Sequence, residues 1–392
     1  MLERSERINY LTRLLVNITT TTYSITQIIN KFRMIYILLK PVLKIPARHY
    51  LSTLYWLAIL TMPFSVHAGA EAGSSVSHKR LEKLLNDRIE DYKQRYPEIN
   101  FLLLRGGDQT VEDIVTLGTV LGKQPANMDY EHPAELREDL VNVSVNRILL
   151  MLKSQMPSSS LFKTNKKQYV CVLAISPVTI AANSIQATRH LLDQPLEFIR
   201  NIPRQLLLSP EDYLAFAIDH EVYHCLQSMY SGPQPMSQKK LWGEYYQFLN
   251  EQAADFYGLG MHIREHGGAT AFTRNVQRIR CTSLASADAN HFTSKGIQQV
   301  LKIPAREFIN ADVSEVFAKA RYFREREVID YDTYIQYVAS AIEAMKVLGL
   351  SSLITEELQI SIVEISPDPS QVNELVSHTR QCLAELAGKK FD

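Results

Sequence analysis

The stretch from Ser209 to Tyr230, SPEDYLAFAIDHEVYHCLQSMY, is bounded at both ends by signals that leave its backbone little choice. Ser209 offers an oxygen to the free amides of a helix start, Pro210 suits the first helical position, and Glu211 and Asp212 complement the positive end of the helix dipole. The run SGPQP that follows Tyr230 prevents continuation. Between these limits, Leu214, Ile218, Val222, Cys225 and Leu226 form an apolar side, while His220 and His224 stand one turn apart on a common face. Two imidazoles so placed can share one ion, which is the geometry a tetrahedral zinc requires.

A zinc held by two histidines is short of a ligand, and the next segment offers carboxylates. KKLWGEYYQFLNEQAADFYGLG reads as a second helix, folded back antiparallel to the first by a loop around SGPQPMSQ, with Glu244, Glu251 and Asp255 on one face. His224 lies about 9 Å along its helix from the turn; if the returning helix begins near Trp242, Glu251 is about 13 Å in and Asp255 about 19 Å. Glu251 is therefore the expected third ligand, and Glu244 is too near the turn. Asp255, one turn further on, is expected to accept a hydrogen bond from the far nitrogen of a ligand histidine. Glu221 is displaced about 100° around its helix from His220, so it suits a base that takes a proton from a water at the metal rather than a ligand.

The pattern H-E-x-x-H, here HEVYH, is shared with the zinc metallopeptidases of the zincin group. NEQAAD resembles the N-E-x-x-S-D segment of thermolysin-like enzymes and the E-x-x-A-D segment of membrane-linked and periplasmic peptidases related to the prenyl-protein protease group. Together the two segments make the chain resemble a gluzincin, a zincin whose third ligand is glutamate. The resemblance implies Zn2+ on His220, His224 and Glu251, with Glu221 as general base, Asp255 orienting a ligand histidine, and a protein or peptide substrate. It implies an α+β, zincin-like fold in which a small mixed sheet and an active-site helix precede a mainly helical C-terminal lobe. It covers about fifty of the 392 residues; the gap from His224 to Glu251 is longer than in thermolysin-like enzymes, and Ala254 stands where they have serine. Gluzincins also use a Tyr or His to stabilise the oxyanion, a role open here to Tyr257, His262, His266, Tyr322, Tyr331 and Tyr334.

The rest of the chain sets the surroundings. With 46% apolar and 21% charged residues it is no disordered chain, and 42 basic against 42 acidic side chains leave no global field for nucleic acid, which is not an expected partner. Near the N-terminus, Arg48 and His49 precede an apolar run from Leu51 to Phe64, followed by Ala68 and Ala70. That is the order of a secretory signal cleaved after Ala70, and the run is shorter than the roughly 20 residues a spanning helix needs. A periplasmic or secreted location is expected, with an uncleaved membrane anchor as second choice; Met34, which opens MIYILLKPVLK, is the expected translation start.

Beyond residues 1–70 the reading has three parts. Residues 71–205 form a mixed α/β lobe: a surface helix in SVSHKRLEKLLNDRIEDYKQRYPE, buried strands in INFLLLRGG and KQYVCVLAISP, a helix with Val141, Val145, Ile148 and Leu152 on one face, and a polar loop at MPSSSLFKTNKK. Residues 206–266 form the helix pair. Residues 267–392 are helical, including one helix with Ile335, Val338, Ile342 and Met345 on a face and a last one through SQVNELVSHTRQCLAELAG. Cys171, Cys225, Cys281 and Cys382 permit up to two disulfides in any of three pairings, although Cys382 shares a face with Leu375, Val376, Thr379 and Leu386 and suits a small core residue equally well. Two function classes follow: an exported zinc endopeptidase, or a non-enzymatic envelope protein whose helical lobe binds a partner and whose histidines are merely packed.

Overall fold

Most of the molecule is helix, built around one antiparallel pair. The computed structural model describes residues 74–105, 157–163, 168–176, 181–192, 202–231, 239, 241–283, 293–326, 328–350 and 365–387, all within the unit Ala72–Asp392. The expected signal segment and the helix expected through Val141 and Leu152 lie outside the described residues. Among the described residues, no helix is long and apolar enough to cross a membrane.

The first helix, α1 (Ser74–Arg95), puts Leu81, Leu85, Ile89 and Tyr92 into the core at helical spacing, while Lys83, Asp87, Asp91 and Arg95 pair along its solvent side. It leads into a mixed sheet of β1 (Ile99–Leu104), β2 (Ser158–Lys163) and β3 (Tyr169–Ala174), ordered β1-β3-β2. β3 runs parallel to β1, with Phe101 opposite Cys171, and antiparallel to β2, with Leu161 opposite Cys171. The central strand is buried from Val170 to Ala174, as an inner strand covered on both faces should be.

β2 corrects an expectation, because its residues read as part of a polar loop. The three serines hid it. An edge strand needs little apolar character, since β3 supplies the hydrogen-bonding partner, Phe162 is buried and Leu161 is half-buried against the main core.

After α2 (Ser184–Leu192) and a 3₁₀ turn at Arg204–Leu206 come the two long helices, α3 (Pro210–Ser231) and α4 (Trp242–His266). The Asp212 amide donates to the Ser209 hydroxyl at 3.4 Å at the expected start of α3, and Gly267, at φ 73°, ends α4 in the left-handed region that glycine adopts without strain. The pair packs closely because Gly258 lacks a side chain: a Cβ there would lie 2.8 Å from Phe216 Cδ2 and 3.2 Å from the Phe216 carbonyl oxygen. The remaining helices are α5 (Ala271–Arg280), α6 (Ser294–Lys302), α7 (Arg306–Ile309), α8 (Val313–Arg326), α9 (Tyr331–Val347) and α10 (Pro369–Leu386).

Helices α6, α7 and α8 pack their apolar residues into the same core as α1, the sheet and the helix pair. A second cluster joins Phe248 and Leu249 of α4 to Tyr334, Val338, Ile342 and Met345 of α9 and to Val372, Leu375 and Val376 of α10. The cysteines pair as Cys171–Cys225, linking β3 to α3, and Cys281–Cys382, linking the end of α5 to α10. Cys382 is thus both a core-face residue and a bridge.

Candidate metal centre

α3 and α4 bring together the residues that their spacing marks out. His220 Nε2 lies 3.0 Å from Glu251 Oε2, His224 Nε2 lies 3.5 Å from Glu251 Oε1, and the two Nε2 atoms are 3.2 Å apart. One ligand atom from each of the three residues falls within 4.8 Å of the others. α4 begins at Trp242, the start on which the rise argument for Glu251 depends, and Glu244 is exposed in its first turn. His220 and Glu251 are buried, and His224 opens to solvent with 21% of its side chain exposed.

Asp255 stands behind this group. His220 Nδ1 lies 2.9 Å from Asp255 Oδ1, Arg280 donates from Nε to Oδ2 at 2.9 Å and from Nη2 to Oδ1 at 3.1 Å, and the Thr293 hydroxyl donates to Oδ2. Burial works to raise the Asp255 pKa, but the Arg280 charge and the bonds from His220 and Thr293 hold it well below the ordinary carboxylate range. An ionised Asp255 only accepts, so the proton on His220 Nδ1 is donated to it, and Nε2 is the atom that faces Glu251 and His224. Burial pushes the His220 pKa down, yet its bonds to Asp255 and Glu251 raise it to about 9. Protonated, the ring donates from Nε2 to Glu251 as well; with that proton displaced, two imidazole nitrogens and a carboxylate converge as a set that could hold a divalent metal ion.

Two members of this arrangement were hidden from sequence reasoning. Arg280 lies 25 residues from Asp255 and reads as an ordinary basic residue in the last turn of α5; Thr293 lies 38 residues away and precedes α6. A third is Ser159, whose hydroxyl donates to Glu221 Oε2 at 2.9 Å from the edge strand that reads as a loop. Glu221 is buried beside the histidines and in contact with the sheet through that bond.

The residue before His220 is tied in the opposite direction. Asp219 is buried and accepts from Arg88 Nε and the Tyr92 hydroxyl, each at 2.7 Å, which locks α1 onto α3. Burial outweighs the Arg88 charge and pushes the Asp219 pKa up to about 6.

The six oxyanion candidates fall in different surroundings. Tyr257 is fully buried with its hydroxyl 3.0 Å from that of Tyr92. His262 is buried, its Nε2 2.8 Å from Thr270 Oγ1, and burial, aided by His266 and Arg88, lowers its pKa to about 3. His266 lies 3.4 Å from Asp212, Tyr322 is exposed, Tyr331 packs tilted against Trp242 and edge-on to Tyr245, and Tyr334 is packed against Phe248 in the second core cluster. Comparison of the chain with protein-family models, with curated proteins and with solved structures finds no match, so residues and geometry alone carry the reading of this site.

Proposed function

We propose that this protein is an exported zinc-dependent endopeptidase of the gluzincin type, with a zincin-like arrangement of edge strand and active-site helix. The observation that carries the reading is the convergence of His220, His224 and Glu251 within 4.8 Å, with Glu221 next in chain to the first ligand. In this reading His220, His224 and Glu251 hold the ion, and a zinc ion so bound lowers the pKa of a water toward about 7 and polarises a carbonyl.

The chain's own residues then divide the work. Glu221 takes the proton of the attacking water and delivers it to the departing amine. The Ser159 hydroxyl, 2.9 Å from Glu221 Oε2, orients that carboxylate. Asp255, anchored by Arg280 and Thr293, holds the His220 ring. β2, paired on one side with β3 and in contact with α3 through Ser159, supplies backbone groups to an extended substrate. Two disulfides accord with an oxidising compartment.

The test separates the two glutamates. Glu221→Gln keeps shape and removes the base, so zinc stays bound while hydrolysis of an unstructured protein falls by about 100-fold or more. Glu251→Ala loses zinc and activity together. Elemental analysis that finds no zinc in the purified wild type, or a Glu221→Gln variant as active as a wild type that demonstrably cleaves, rejects the proposal.

A further inference from the structure

The helix pair carries the same combination of side chains twice. α3 contributes a histidine pair, His220 and His224, to a carboxylate of α4, Glu251; α4 contributes a second pair at the same four-residue spacing, His262 and His266, to a carboxylate of α3, Asp212. Antiparallel packing makes the exchange possible, because it sets the first turn of one helix beside the last turn of the other. At about 1.5 Å per residue, Asp212 is about 12 Å from His220 along α3, and His262 is about 16 Å from Glu251 along α4, so the clusters are separate sites.

The second cluster has a metal-binding geometry of its own. One ring nitrogen from each histidine and one Asp212 oxygen lie within 4.8 Å of one another. His266 Nε2 is 3.4 Å from Asp212 Oδ1, and the two rings stack with centroids 4.1 Å apart. Thr270 Oγ1, 2.8 Å from His262 Nε2, anchors that ring at one nitrogen, as metal-binding histidines are commonly anchored. Charge also favours a cation: both histidines lie in the last two turns of α4, at the negative end of its dipole, and the nearby Arg88 is paired with both Asp219 and Glu265.

We propose that Asp212, His262 and His266 form a second, solvent-accessible site for a divalent transition-metal ion of the kind that takes imidazole and carboxylate ligands, zinc among them. Three protein ligands leave a position to water, and the outward placement of His266 (43% of its side chain exposed) and Asp212 (27%) makes this the weaker and more readily exchanged of the two sites. The inference does not depend on the peptidase reading.

The full chain, stripped of metal and kept oxidised, is titrated with Zn2+ against a chromophoric chelator. Two equivalents of unequal affinity are expected. His266→Ala and Asp212→Asn, both at the surface, each weaken the second equivalent by at least about tenfold and leave the first unchanged, while a His220→Ala/His224→Ala variant keeps only the second. A wild type that binds one equivalent, unaffected by His266→Ala and Asp212→Asn, overturns the site. A second equivalent that persists in both of those variants overturns it as well. A wild type with a single equivalent that His266→Ala removes and His220→Ala/His224→Ala does not would sustain this site and sink the peptidase reading.

Discussion

The two histidine–carboxylate clusters share their side-chain types and differ in what lies behind them. The inner one is backed by Asp255, which is fully buried and takes hydrogen bonds from His220, Arg280 and Thr293, so its geometry is held by two further elements of the fold, the end of α5 and the start of α6. The outer one has a threonine hydroxyl behind His262 and solvent around His266. Side-chain type decides which ions a cluster accepts; the groups behind the ligands decide how tightly it holds them and how much of the fold depends on it. A buried charge network is costly to break, because whatever remains is left without its counter-charge.

Asp255→Ala should give the largest effect. Removing the carboxylate strips Arg280 and His220 of a shared partner in a buried setting, at a cost of about 3–5 kcal/mol of stability. It also releases the His220 ring, and zinc binding at the inner cluster should weaken by about 10–100-fold. The outer equivalent should be unchanged. Denaturant midpoints and chelator competition on the same preparation read both effects, and an Asp255→Ala protein of wild-type stability would show that the buried network does not distinguish the clusters.

Acid should act at the same place. The folded-state pKa of Asp255 is held below its ordinary value of about 3.9, so its contribution to stability is present above that value and is lost as pH falls through it toward the lower folded pKa. Asp219 works in the opposite sense: raised to about 6, it is protonated in the folded chain where the unfolded chain is ionised, so its contribution is lost as pH rises from about 4 to about 6. The Asp255 effect is therefore read below pH 4, as the steeper loss of stability in metal-free wild type than in Asp255→Asn. Parallel curves in that range would remove Asp255 as the acid-sensitive element.

What could be read from the chain was local. The Ser209 and Pro210 start of the first long helix and the four-residue histidine spacing are decided by neighbours within a turn or two. Glu251 followed because two helices joined by a short connection have a computable rise. The rest depends on docking. β2 draws its hydrogen bonds from β3, Arg280 reaches Asp255 across 25 residues, and the cysteine pairing follows Cα separations of 5.8 and 6.2 Å that only the assembled fold provides. The outer cluster is the same case: Asp212, His262 and His266 are visible singly, and their convergence is a property of the packed pair.

The smallest expected effect sharpens the contrast most. His266 extends from the last turn of α4 with 43% of its side chain exposed and approaches Asp212 at 3.4 Å in a setting where water screens the pair. Exposed pairs of this kind contribute about 0–1 kcal/mol, and surface changes away from caps and cores typically stay within about 0.5 kcal/mol. In metal-free protein His266→Ala should therefore leave the denaturant midpoint almost where it was, since no buried charge loses its partner. With zinc in excess the comparison changes, because an ion that binds only the folded chain adds stability as RT ln(1 + [L]/Kd), and the variant lacks a ligand for the outer ion. Wild type should then gain more from added zinc than His266→Ala does, and the excess gain should grow with zinc concentration. If His266→Ala costs several kcal/mol without metal, the outer cluster is part of the load-carrying core after all, and the difference drawn between the two ends of the helix pair fails.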